Sequence, residues 1–155
     1  MTSPFFLFEA DFVDSLRCIP MAVRMQLDIS GIKLKLNEWS KLSQAQRQAL
    51  VQMPFATHQE LESYRSFLSN LIESICGARP SMLSEIPNPA WDDATMIPAQ
   101  VLDQANALTM KVPLSAWAAL TPLQRFALIK LSRPGHENRN FPAAMTEFGL
   151  HPIVA

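Results

Sequence analysis

Charge is scarce in this chain. Asp, Glu, Lys and Arg make up 17% of its 155 residues and nearly cancel, leaving a net charge of −1, whereas an average globular domain is about 25% charged. The basic residues are scattered, so neither a phosphate-backbone footprint nor a polybasic patch is present, and nucleic acid and membrane surfaces are excluded as partners. Cysteine is almost lacking as well. Cys18 and Cys76 form no CxxC pair and no disulfide framework, which fits a reduced, cytoplasmic protein. The four glycines fall in no GxGxxG or GxxxxGK loop, so phosphate-cradling, nucleotide-dependent chemistry is not expected. His58, His136 and His151 occur in no HExxH, HxH or Cys/His spacing, so no metal and no other cofactor is expected. Long apolar runs are missing too. The run Phe5-Phe6-Leu7-Phe8 is broken by Glu9 and Asp11, too early for a signal-peptide core, and no stretch approaches the roughly 18–20 apolar residues of a membrane span.

What is present is apolar residue in quantity, 48% of the chain, enough at this length for one domain, residues 1–155, with a large core. Its organisation is a duplication. Residues 12–58 and 90–136 align at an offset of 78 without a gap, and fourteen of the forty-seven positions are identical; unrelated segments would share about three. The identities are Asp14/Asp92, Ile19/Ile97, Pro20/Pro98, Val23/Val101, Gln26/Gln104, Lys33/Lys111, Leu36/Leu114, Trp39/Trp117, Leu42/Leu120, Gln46/Gln124, Arg47/Arg125, Ala49/Ala127, Leu50/Leu128 and His58/His136. Residues 78–89, with three prolines, connect the copies.

Within each copy the signals are helical. Pro20 and Pro98 are placed at the first position of a helix, where a missing N–H costs nothing, and Gly31 stops the first of these. Ile32-Lys33-Leu34-Lys35-Leu36 and Met110-Lys111-Val112-Pro113-Leu114 alternate as short strands do and could pair with each other, Pro113 confining its strand to an edge. Asn37 and Ser115 are placed to cap a short helix carrying Trp39 or Trp117. Ser43-x-x-Gln46 and Thr121-x-x-Gln124 are capping boxes opening the next helices, which Pro54 and Pro134 end. In the first copy Thr57-x-x-Glu60 opens a long amphipathic helix with Leu61, Tyr64, Leu68, Leu71, Ile72 and Ile75 on its inner stripe, closed by Gly77. The second copy allows only a short helix before Gly149. The expected fold is a mainly α, single helical domain of two pseudo-twofold repeats, with a small two-stranded β pairing as an addition.

Few residues carry chemistry. Cys18, beside Arg17 and just ahead of a helix start, has the setting of a nucleophilic thiol, but its counterpart Met96 fits a small buried hydrophobe instead. Arg47 and Arg125 could clamp a carboxylate; they could equally pair with a structural acid such as Asp14, Asp92 or Asp28. His58 or His136 could serve as a base for the thiol. Phe5, Phe6 and Phe8 could form a docking surface or fold onto the core.

The segments Phe8-Glu9-Ala10-Asp11-Phe12-Val13-Asp14-Ser15-Leu16-Arg17-Cys18-Ile19-Pro20-Met21, Gly31-Ile32-Lys33-Leu34-Lys35-Leu36 with Trp39, Gln124-Arg125-Phe126-Ala127-Leu128-Ile129-Lys130-Leu131, Gly135-His136-Glu137 and Glu147-Phe148-Gly149-Leu150 resemble the conserved nitrate reductase-associated protein family. The resemblance implies an accessory role in assimilatory nitrate reduction, with nitrate reductase as partner. It carries over no catalytic residue. The expectation is therefore a non-enzymatic protein that binds nitrate reductase and supports its assembly, maturation or activity. The alternatives are a small-molecule or redox function centred on Cys18 and the repeat arginines, and a homodimeric scaffold.

Overall fold

The computed structural model describes residues 5–10, 16–83, 89–133 and 136–150, with the backbone alone at 136 and 137. Asp14, Ile86, Pro134 and His151, together with the His136 side chain, lie outside the described set. The chain forms two compact units. One comprises Met1–Phe5 and Glu9–Asn88, and the other Phe6–Phe8 and Pro89–Ala155.

The first unit is built from α1 (Met21–Ser30), β1 (Ile32–Lys33), α2 (Leu36–Ser40), α3 (Gln44–Gln52), α4 (His58–Cys76) and β2 (Ser81–Met82). Pro20 stands one position earlier than the sequence placed it. Its ψ of 156° is extended, so it is the cap residue and Met21 opens the helix. The orphan N–H of Met21 donates to Glu9 Oε2 at 2.9 Å; Glu9 is buried, and its carboxylate meets the positive end of the α1 dipole. Gly31 ends α1 at φ 75°, a left-handed conformation with no penalty for glycine, and its N–H closes onto the carbonyls of Leu27 and Asp28. Arg65, from α4, donates through Nε to the carbonyl of Ser30, the last residue of α1.

Helix α4 begins as its capping box requires: Thr57 Oγ1 accepts from Glu60 N–H, and Glu60 Oε1 accepts from Thr57 N–H. Its buried face is Tyr64, Leu68, Ser69 and Ile72. Tyr64, Leu68 and Ile72 pack with Val23, Leu27, Ile32, Trp39, Leu42, Leu50 and Val51 into one core, which Phe5 and Cys76 flank.

The two-stranded sheet differs from the expected one. β1 pairs antiparallel with β2, inside the connector, with Ile32 opposite Met82 and Lys33 opposite Ser81, and Leu83 N–H donates to the Gly31 carbonyl. The segment 110–114 is not its partner. Leu36 and Leu114 are already helical, so each alternating run loses its last residue to a helix, and Pro113 brings no N–H to a ladder. The same shift moves the caps of the tryptophan helices. Lys35 and Pro113, not Asn37 and Ser115, are the residues preceding them, and Glu38 Oε1 accepts from Lys35 N–H.

The second unit holds α5 (Ala99–Ala107), α6 (Leu114–Ala119), α7 (Pro122–Leu131) and α8 (Phe141–Glu147), with 3-10 turns at Ala90–Asp92 and His136–Asn140. Its helices α5, α6 and α7 start 78 residues after α1, α2 and α3. Thr109, 78 residues after Gly31, keeps the left-handed conformation with φ 58° although it is β-branched. Helix α7 is buried nearly all round: Arg125, Phe126, Ala127, Leu128, Ile129 and Leu131 are all inside. Trp91 meets the Phe126 ring edge-on at 5.1 Å between centroids.

Candidate functional site

The residues singled out in the sequence are drawn mostly into structural work. Arg125 is 6% exposed. Its Nε donates to the Trp91 carbonyl at 2.6 Å, and Nη1 to the carbonyls of Leu120 at 2.8 Å and Trp117 at 3.3 Å. These oxygens belong to the ends of a 3-10 turn and of α6, where helical partners run out. Among the described residues its hydrogen bonds go to backbone carbonyls and not to the structural acid expected for it, with Asp93 near enough for its carboxylate to feel the charge. Arg47 does the equivalent work in the first unit, donating to the Trp39 and Ser40 carbonyls at the end of α2 and lying over the Trp39 ring.

Both tryptophans are fully buried. Trp39 Nε1 donates to the Leu16 carbonyl at 2.6 Å and Trp117 Nε1 to the Asp93 carbonyl at 3.0 Å. Gln46 and Gln124 complete the two capping boxes. Beside Trp117, Asp93 accepts from both the hydroxyl and the N–H of Thr95, which together hold its carboxyl below the usual carboxylate range.

Cys18 is half-buried with an unbridged thiol, and Arg17 next to it is exposed. His58 is the first residue of α4 and exposed. Among the described residues no three His, Cys, Asp or Glu side chains are grouped to hold a metal ion, and no helix is long and apolar enough to cross a membrane. An open cleft of about 240 Å³ lies at the start of α4, lined by Met53, Pro54, Thr57, Gln59, Glu60 and Ser63. Neither Cys18 nor Arg47 lines it.

The N-terminal phenylalanines fold onto the cores. Phe5 packs against the core of the first unit. In the second unit Phe6 and Phe8 stack at 5.3 Å and both meet Phe148 edge-on, while Phe8 N–H donates to Glu147 Oε1.

Two repeated pairs have no such task. Lys33 and Lys111 are exposed, and so are Leu36 and Leu114, at 56% and 50%. The alternation of residues 32–36 places Leu36 on an inner face; in the structure it opens α2 on the surface. The signal for it was available. Lys33 and Leu36 recur at 111 and 114 although the residues between them change.

Fold and site together define a mainly helical protein in which the repeated Gln46/Gln124 and Arg47/Arg125 serve helix ends. Over residues 5–148 it matches the family model described as conserved nitrate reductase-associated protein, and the chain belongs to that family. No curated protein and no solved structure matches it.

Proposed function

We propose that this chain is a non-catalytic accessory protein of nitrate assimilation, which docks onto nitrate reductase and supports its assembly, maturation or activity. The observation that carries the reading is membership, across 5–148, of a family described by its association with nitrate reductase. The engagement of Arg125 supports it. Nε and Nη1 of this guanidinium are aimed at backbone carbonyls, whereas a substrate clamp needs its donors directed at the ligand.

The test is genetic and biochemical. Deleting the gene lowers nitrate reductase activity or its cofactor content in cell extracts, and the tagged chain retains the reductase through affinity purification. An unchanged reductase activity and cofactor content in the deletion strain refutes the proposal.

A further inference from the structure

The fold accounts for most of what the two copies share, and the remainder is informative. Pro20/Pro98 precede helices, Val23/Val101, Trp39/Trp117, Leu42/Leu120 and Leu50/Leu128 are core, Gln46/Gln124 close capping boxes and Arg47/Arg125 hold carbonyls. Lys33/Lys111 and Leu36/Leu114 are the pairs exposed in both copies that make no side-chain hydrogen bond or ion pair among the described residues. Leaving a leucine half-exposed at the same point of both copies forgoes burial twice.

We infer that each Lys-x-x-Leu element, Lys33 to Leu36 and Lys111 to Leu114, is a docking point for an acidic, apolar surface element of nitrate reductase. The inference rests on the proposed function and adds where the contact is made and its chemistry. Charge decides the occupant. Residues 33–41 carry exposed Lys33, Lys35 and Lys41 and a single acid, Glu38, which is occupied by the Lys35 N–H. Residues 109–119 carry Lys111 and no acid at all. In a chain of net charge −1 these are local excesses of positive charge around an apolar knob, and they complement a hydrophobic socket rimmed by carboxylates. A second copy of this chain is a poorer occupant, since an isologous contact through these elements sets lysines against lysines.

Binding of the full-length chain to purified nitrate reductase tests this, with Leu36→Gln, Leu114→Gln, the double variant, and Lys33→Glu with Lys111→Glu. Each leucine variant is expected to weaken binding about tenfold, the double variant about a hundredfold. The lysine reversals should weaken binding and reduce its sensitivity to salt. Circular dichroism should be unchanged, since the replaced side chains lie on the surface. If the wild type binds and all variants bind equally, the inference fails while the proposed function stands; if the wild type does not bind, both fail. A wild-type dimer that the double variant converts to monomer, seen by light scattering, assigns the leucines to self-association and also overturns it.

Discussion

Replacing Tyr64 by phenylalanine should stabilise the first unit. Tyr64 is the chain's single tyrosine, is fully buried, and its hydroxyl has no hydrogen-bond partner among the described residues. A buried hydroxyl left unpaired costs about 1–3 kcal/mol, and phenylalanine keeps the ring that packs with Leu68 and Ile72 while removing that cost. With a urea m-value of about 2 kcal/mol per molar, the unfolding midpoint should rise by roughly 0.5–1.5 M. The same burial pushes the phenol far above its ordinary pKa. Folding therefore holds the proton on, and the stability so linked is complete below the unfolded pKa of about 10 and declines as pH rises beyond it. At about pH 11 the wild type should have lost about 1 kcal/mol more than Tyr64→Phe does. Urea titrations of both proteins at neutral and alkaline pH, followed by circular dichroism, give the comparison, and tyrosinate absorbance of the wild type reports the phenol directly. If Tyr64→Phe lowers the neutral-pH midpoint, or if the phenol of the folded protein ionises near its ordinary pKa, the hydroxyl is not isolated and the reasoning fails.

Arg125→Met should cost about 2–4 kcal/mol, because it leaves the carbonyls of Trp91 and Leu120 without their donor in a buried setting, while the Trp117 carbonyl keeps the Leu120 N–H; Arg47→Met, at a half-exposed site, should cost about 1 kcal/mol, and thermal unfolding ranks the two. Glu9→Ala should destabilise by about 1–2 kcal/mol through the lost acceptor for Met21 N–H, with Glu9→Gln recovering part of it because its amide oxygen still accepts. Thr109→Gly should stabilise by about 0.5–1 kcal/mol, as glycine holds φ 58° without the β-branched strain; an unchanged or lower midpoint would argue against strain there. Asp93 should titrate below the ordinary carboxylate range by NMR, and Thr95→Val should move it back up. Its stabilising contribution is present above the unfolded carboxylate pKa and lost as pH falls through the lowered value.

The residues identical at an offset of 78 divide by the distance over which they act. Gln46 and Gln124 act within four residues of chain, and their effect is the same in both copies. Arg47 and Arg125 share carbonyls at the same offset, those of the tryptophans, yet Arg125 adds the Trp91 carbonyl 34 residues away. Gln26 donates to the Met53 carbonyl whereas Gln104 donates to Asn138 Oδ1, so identical residues are put to different uses where the copies diverge. A residue repeated for scaffold reasons can therefore be recognised only once its partner is known. Lys33/Lys111 and Leu36/Leu114 stand out against that background because they are repeated, exposed, and make no side-chain hydrogen bond or ion pair among the described residues.

The sequence by itself determined the starts of α3, α4 and α7, the glycine stops at Gly31 and Gly77 and the inward stripe of α4. Capping boxes, left-handed caps and helical periodicity all act over a few residues, so their chemistry is complete in the local string. Family membership was legible there too, in motifs running from Phe8 to Leu150. Tertiary structure alone decided that β1 pairs with the connector, that Glu9 caps α1, that Arg125 holds carbonyls in place of an acid, that Phe6 and Phe8 pack on Phe148, and that Leu36 faces outward. Each of these depends on which backbone groups remain unpaired, and which apolar surfaces remain uncovered, after the helices have ended. Such vacancies are created by packing between distant segments, and no periodicity within a segment encodes them.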